Sequence, residues 1–370
     1  MTDITFVLPR LDPTGGAKVI IQLAHYLTER GHKVAVTSPM YPYGGKFNLD
    51  HLRGAIKEWG YDVEPDRYLS VMQIDRESAL VSTAYDTSYT VHNLVGSKGI
   101  NFIQSYDQWH LYDDPGFWGW CGNVTELAPT YIPKDPEALK QKQYVDASYK
   151  FPMKKIVVSK WLQRVMSYLT PDECTLIPVG VDDIDPRFEY KPYAMEGNPL
   201  YISYIFRGVD YRGDKIVFGV RHEITRKFHD EVKFVEIYDI SYSKLCAIYE
   251  CSDIFLYGSK IEGFGLPPLE AMSHGCAICS TGVGAIPEYL PSKDIQMAGW
   301  PQLLTDRLEY LINNREIIPK LGEINRNEAS KWDIFETVKQ FEAYLDGTER
   351  RNTDTNTQPT RRLSESERIH

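Results

Sequence analysis

Residues 4–38 read ITFVLPRLDPTGGAKVIIQLAHYLTERGHKVAVTS. The opening ITFVLP (4–9) is almost continuously apolar, the pattern of a strand buried on both faces. DPTGGA then breaks the run with glycine and proline. From Lys18 the apolar residues fall at 19, 20, 23, 24 and 27, which is the period of a helix. Gly31 stops that helix, and HKVAVTS supplies a second short apolar strand. Strand, glycine turn, helix, strand is a βαβ unit, and it commits the chain to a parallel α/β sheet.

The same alternation continues outward. INFIQS (100–105), KKIVVS (154–159) and TLIPVGV (175–181) read as further short strands, the last closing a first half. A second half opens with NPLYISYIF (198–206) and EVKFVEIY (231–238). SYSKLCAIYECS (241–252) reads as a helix and DIFLYG (253–258) as a buried strand, and after residue 275 come CAICST, GAIPEYL and a helix around Gln302–Asn313. The expected division is 1–178 and 179–332, two Rossmann-like, doubly wound parallel-sheet domains with a ligand cleft between the carboxyl ends of their strands. DIFETVKQFEAYL (333–345) is a helix with Asp333 as N-cap and Glu336 three residues on, expected to pack back on the first half. Residues 347–370 hold no aromatic residue and few large apolar ones, and are expected to be disordered.

Composition narrows the function classes. At 370 residues with 42% hydrophobic and 25% charged residues, the chain is ordinary globular protein. A net charge of -10 disfavours binding to duplex nucleic acid. No run approaches the length of a membrane span or of a signal-peptide core, so a cytoplasmic protein is expected. The six cysteines are scattered, which suits reduced thiols. Cys276 and Cys279 are spaced C-x-x-C, but without a second pair they read as buried strand thiols, and no metal site is expected.

The stretch EGFGLPPLEAMSHG (262–275) carries the most chemistry. Pro267 and Pro268 suit the first turn of a helix, and Gly275 the position just past its end. This places Glu270 in the first turn, with the amides of Gly265, Leu266, Leu269 and Glu270 as candidates to meet an anion. Gly263 and Gly265 allow close backbone approach. Glu262 and Glu270 can each accept from hydroxyls. A polyhydroxylated, phosphate-bearing ligand fits this set, and so does a plain strand–turn–helix with a capping acid. Local physics admits both.

EGFGLPPLEAM resembles the E-x7-E motif of the family 4 retaining glycosyltransferases, which have the GT-B fold. Its flanks, LCAIYECSDIFLYGS before and HGCAICSTGVGAIPEYL after, match in order. KKIVVSKWLQRVM and LIPVGVD resemble the interdomain segment, and residues 8–36 the first glycine loop, helix and second strand. The likeness covers about residues 4–345. It implies that Glu262 meets the hydroxyls of the transferred sugar and Glu270 the ribose of the nucleotide. The backbone of Gly263, Phe264, Gly265 and Leu266 would hold sugar and diphosphate, and Gly15 and Gly16 would line the cleft from the other side. The family's Arg and Lys-Gly pair corresponds to Arg207 and Arg212-Gly213; Arg stands where Lys is usual, Phe206 stands for a common glycine, and Lys215 is the alternative cation. Asp107 and His110, in NFIQSYDQWHLY (101–112), would serve the acceptor or sugar, although a lone His beside two aromatics also suits packing or surface, and Tyr106 and Trp109 suit the core. The likeness makes Glu288 a structural or nucleotide-proximal acid, with the structural role favoured.

The implied reaction moves a hexose from a UDP-, GDP- or dTDP-sugar to a glycan or lipid-linked acceptor hydroxyl with retention, without a metal or other cofactor. The leaning is towards mannose-, rhamnose- or glucose-type sugars in surface polysaccharide or glycoconjugate synthesis, with peripheral contact at the inner membrane face. Rival readings are a non-catalytic nucleotide-sugar-binding protein of the same fold and a nucleic-acid base glycosyltransferase. An epimerase or phosphorylase of GT-B type is disfavoured by the E-x7-E block and by the absence of a cofactor-lysine context.

Overall fold

A computed structural model of the chain describes residues 1–11, 14–38, 49–63, 74–107, 125–181, 198–208, 213–298 and 303–347. The strands of the first half are β1 (Asp3–Val7), β2 (Lys33–Thr37), β3 (Ala79–Ser82), β4 (Ile100–Ile103), β5 (Lys154–Val157) and β6 (Cys174–Leu176). Its helices are α1 (Gly15–Glu29), α2 (Leu49–Glu58), α3 (Tyr85–Val95), α4 (Pro136–Ser148) and α5 (Lys160–Ser167). The second half contributes β7 (Leu200–Ile205), β8 (Val232–Ile237), β9 (Ile254–Tyr257) and β10 (Ala277–Ser280). Between and after them come α6 (Asp214–Phe228), α7 (Tyr242–Cys251), α8 (Leu266–Ser273), α9 (Ile286–Tyr289), α10 (Lys293–Gln296), α11 (Leu304–Asn313), α12 (Ile318–Ala329) and α13 (Ile334–Leu345).

Both sheets are parallel throughout the described pairings. The first has the order β2-β1-β3-β4-β5-β6 and the second β10-β9-β7-β8. Counted from its own first strand, each sheet therefore runs second, first, third, fourth. The chain steps outward one way from its first strand, then turns back past it. With right-handed crossovers, that reversal places helices on opposite faces of the sheet and opens a crevice beside the first strand. The crevice of one sheet lies between β1 and β3, that of the other between β7 and β9. The expected doubly wound α/β architecture is what the chain adopts.

The strand cores explain the topology. Ile4, Phe6, Val7, Phe102, Ile156 and Val157 are all buried, as are Ile254, Phe255 and Leu256 of β9, so both sheets are covered on two faces. One apolar cluster runs from Phe6 and Phe102 through Phe255, Leu269 and Tyr289, joining the two halves. α13 returns from the second half and lies along α1. Phe341 packs on Phe6 and Phe102 with ring centroids 5.7 and 6.1 Å away, and Glu342 accepts from Arg30 and contacts His32. The two crossings between halves run side by side: Val181 N donates to Trp332 O, and Ile334 N to Val181 O. Gly180 makes this possible, because a Cβ there would sit 2.4 Å from the Asp333 carbonyl carbon.

Candidate active site

α8 begins at Leu266, with Gly265 as its N-cap at φ 84°, a left-handed conformation that disfavours any side chain. The structure corrects two expectations here. Glu270 opens the second turn rather than sitting in the first, where no acid lies. Leu269 and Glu270 then fall within reach of intrahelical partners, so among the four expected amides only those of Gly265 and Leu266 are terminal orphans. The helix ends in a Schellman turn: Cys276 N donates to Ala271 O and Gly275 N to Met272 O, with Gly275 at φ 75°.

Glu262 follows β9 and is 9% exposed. Tyr257 Oη donates to its Oε1 at 2.5 Å and Ser259 Oγ to the same oxygen at 3.0 Å. These donors, spaced along one strand end, fix the carboxylate's rotamer. Sequence reading had singled out neither, because a tyrosine and a serine ending an apolar strand look like ordinary strand residues.

The loop after Glu262 is anchored by its carbonyls. Ser159 Oγ donates to Gly263 O at 3.0 Å and Tyr289 Oη to Gly265 O at 2.6 Å. Because each peptide is trans, the amides of Phe264 and Leu266 point away from those anchors. The Phe264 side chain is buried against Tyr289 and Trp332, so it serves packing. Gly263 faces the first half: a Cβ there would lie 1.9 Å from Gln104 O. Arg207, at the end of β7, is exposed, and its backbone N–H reaches the buried Asp214 carboxylate at the start of α6. Lys215, one residue further, is also exposed. Arg212 and His110 lie outside the described residues.

Opposite these residues, a pocket of about 170 Å³ sits at the β1/β3 crevice. Arg10, Thr14, Gly16, Ala84, Gln104 and Asp107 are among its lining residues. Gly15, between the lining residues Thr14 and Gly16 in sequence, has nothing within 4 Å of where a Cβ would stand. Asp107 accepts from Ser105 Oγ at 2.5 Å and from Tyr85 N, at the start of α3, at 3.2 Å. Burial pushes its carboxyl up to about 6 against the pull of these hydrogen bonds, and the nearby Asp86 adds to the rise. Asp86 is itself raised by burial. Tyr106 is buried and donates to Asp146, a packing role.

The two crevices face each other at short range. Lys18 Nζ, in α1, donates to Glu270 Oε1 in α8 at 3.1 Å, 252 positions away in sequence. Glu288 in α9 accepts from Lys160 N and Trp161 N and so caps α5 across the halves, the structural role read for it. Cys276 and Cys279 are both buried, the first just before β10 and the second within it. Among the described residues no group of three metal-ligating side chains forms, and no helix is long and apolar enough to cross a membrane.

Residues 216–314 match the family model described as "Glycosyl transferases group 1". The second half carries a group 1 glycosyltransferase domain. That domain spans α6 to α11, and therefore contains Glu262, Glu270 and the loop between them. A 96-residue segment is 31% identical to the sulfoquinovosyl transferase SQD2 of Arabidopsis thaliana, covering 24% of this chain and 19% of that protein. A 50-residue segment is 42% identical to the serotype-specific mannosyltransferase WbdA of Escherichia coli, covering 14% and 6%. The matched segments thus span less than a fifth of these relatives' own length. The whole architecture is similar to sucrose-phosphate synthase of Thermosynechococcus elongatus (TM-score 0.65, 12% identity, 94% of this chain and 99% of that one). It is also similar to HepE of Anabaena, solved with UDP and glucose (TM-score 0.64, 13% identity, 94% and 100%). The group 1 domain and its partner sheet together form a GT-B fold.

Proposed function

We propose that the protein transfers a hexose from a nucleotide sugar to a hydroxyl of a glycan or lipid-linked acceptor, with retention at the anomeric carbon. The observation that carries this reading is the confrontation of the two crevices: a rotamer-locked Glu262 and Glu270 on one side, a polar pocket at the α1 N-terminus on the other. In this reading Glu262 accepts from hydroxyls of the transferred sugar and Glu270 from the ribose. The Leu266 amide and Arg207 would meet the diphosphate, with Arg212 or, as the alternative, Lys215 as the second cation. The pocket beside Gly15, Gly16 and Asp107 receives the acceptor.

The chemistry follows from charge. The anomeric C–O bond to phosphate breaks, and the acceptor oxygen bonds to that carbon on the same face. The acceptor's proton passes to the departing diphosphate. Negative charge grows on that leaving group, so cations placed beside it act more on the transition state than on the ground state. The UDP and glucose in the Anabaena structure support a nucleotide-sugar donor, and the mannosyltransferase relative supports a hexose. A cytoplasmic setting belongs to the same proposal, supported by the buried free thiols of Cys174 and Cys279.

The test is a thermal-shift panel of UDP-, GDP-, dTDP- and ADP-sugars, followed by release of nucleoside diphosphate with and without candidate acceptors. We expect one donor to stabilise the protein and Glu262→Ala to lower turnover by roughly 100-fold or more while the fold persists. Turnover like the wild type in that variant would remove Glu262 from the site. Donor binding with no release under any acceptor would favour a non-catalytic sugar-nucleotide binder.

A further inference from the structure

We infer that Lys18, from the first half, is a positioning residue that completes the ribose site of the second half. Its effect is to couple the grip on the nucleotide to closure of the cleft. The inference rests on the reading of Glu270 as the ribose acceptor.

The argument starts from burial. Lys18 is 7% exposed and Glu270 9%, so both charges are largely removed from solvent. A buried carboxylate without a cation is costly, and so is a buried ammonium without an anion. Each therefore depends on the other, at 3.1 Å. Lys18 Nζ also stands 3.7 Å from the ring centroid of Tyr242 in α7, a second attachment to the second half. Lys18 lies in the first turn of α1, two residues past Gly16, which lines the acceptor-side pocket. The helix start that lines one crevice thus also holds a side chain of the other.

The consequence for binding is geometric. A carboxylate has about four acceptor directions, and Lys18 occupies one on Oε1, which restrains the group. Ribose hydroxyls then meet a pre-set acceptor instead of one that must be ordered on binding. Were α1 to move away from α8, Lys18 would go with it and Glu270 would lose this partner. Ribose recognition is thereby strongest in the closed arrangement, in which acceptor and donor sites are adjacent.

The experiment measures affinity for whichever of UDP, GDP and ADP stabilises the wild type most, and for its 2′,3′-dideoxy counterpart. It uses the full chain and its Lys18→Met, Lys18→Arg and Glu270→Gln variants and the Lys18→Met/Glu270→Gln double variant, with thermal unfolding as the check on folding. We expect Lys18→Met to weaken the ribonucleotide roughly tenfold, the scale of one charge-assisted hydrogen bond. The dideoxy analogue should bind the wild type and Lys18→Met within about twofold. Lys18→Arg should recover much of the loss, and the double variant should be no weaker than Glu270→Gln alone. Equal weakening of both nucleotides in Lys18→Met would place Lys18 on phosphate or on the fold and overturn the inference. So would an unaffected ribonucleotide in Lys18→Met when Glu270→Gln binds it poorly. Unchanged ribonucleotide binding in Glu270→Gln would instead overturn the ribose reading itself, as would binding of none of the three nucleotides.

Discussion

Glu262 and Asp107 show how neighbours settle the work a carboxylate can do. At Glu262 two hydroxyls converge on one oxygen, and removal of either leaves a buried acceptor short of a partner. Tyr257→Phe should therefore lower turnover about tenfold and stability by about 1 kcal/mol, measured by product release and urea unfolding. A Tyr257→Phe enzyme as fast as the wild type would mean that the Tyr257 hydrogen bond is not needed to hold the rotamer. Asp107 has the opposite tendency, since burial favours its neutral form and lifts it from 3.8 to about 6. A raised carboxyl stabilises the fold below its unfolded value and loses that contribution as pH rises through the folded one. Fully expressed, the shift amounts to about 3 kcal/mol; water in the pocket beside it reduces the expected effect to about 1–2 kcal/mol. Stability should thus fall between pH 4 and pH 7 by that amount more in the wild type than in Asp107→Asn. Asn keeps the shape and can still accept from Tyr85 N, and equal pH slopes would count against the assignment.

At the scale of elements, the short turns between strands and helices carry the site. The β9–α8 loop holds Glu262 only because Gly263 slides beneath Gln104 O, and Gly265 bends into α8 at φ 84°. Gly263→Ala should force this loop away from the first half, costing about 1–3 kcal/mol and most of the activity. Full activity with an unchanged melting temperature would show that the close approach is dispensable. The helical and strand elements around this loop were legible in the sequence, because β9, α8 and β10 each have a clear apolar run between turn signals. β3 was not. ALVS is four residues with no alternation, too short to separate from a loop by pattern alone. α2, α3 and α4 were likewise not singled out. The prolines mark the first turn of α8 as the sequence indicates, but Glu270, the fifth residue from Leu266, falls in the next turn and not in the first.

At the scale of the whole molecule, a shared core and the returning helix bind the halves together. Phe341 is fully buried between rings of β1 and β4, although its helix follows the second half in sequence. Phe341→Ala should cost about 3–5 kcal/mol. Since one apolar cluster spans both sheets, unfolding should follow one cooperative transition, with fluorescence and circular dichroism coinciding. Two resolved transitions would show that the halves unfold separately and that the shared core contributes little between them.

The sequence by itself determined the parallel α/β class, the two successive halves and the residues flanking the glycine–proline turn, because these depend on local periodicity and backbone restriction. Strand order, the facing of the two crevices and the partners of the site residues were decided only by the tertiary structure. Lys18 and Glu270 are 252 positions apart, and no local pattern marks either for the other. Their pairing follows from packing two sheets with their carboxyl ends opposed, which brings buried charges within reach and leaves each needing an opposite one.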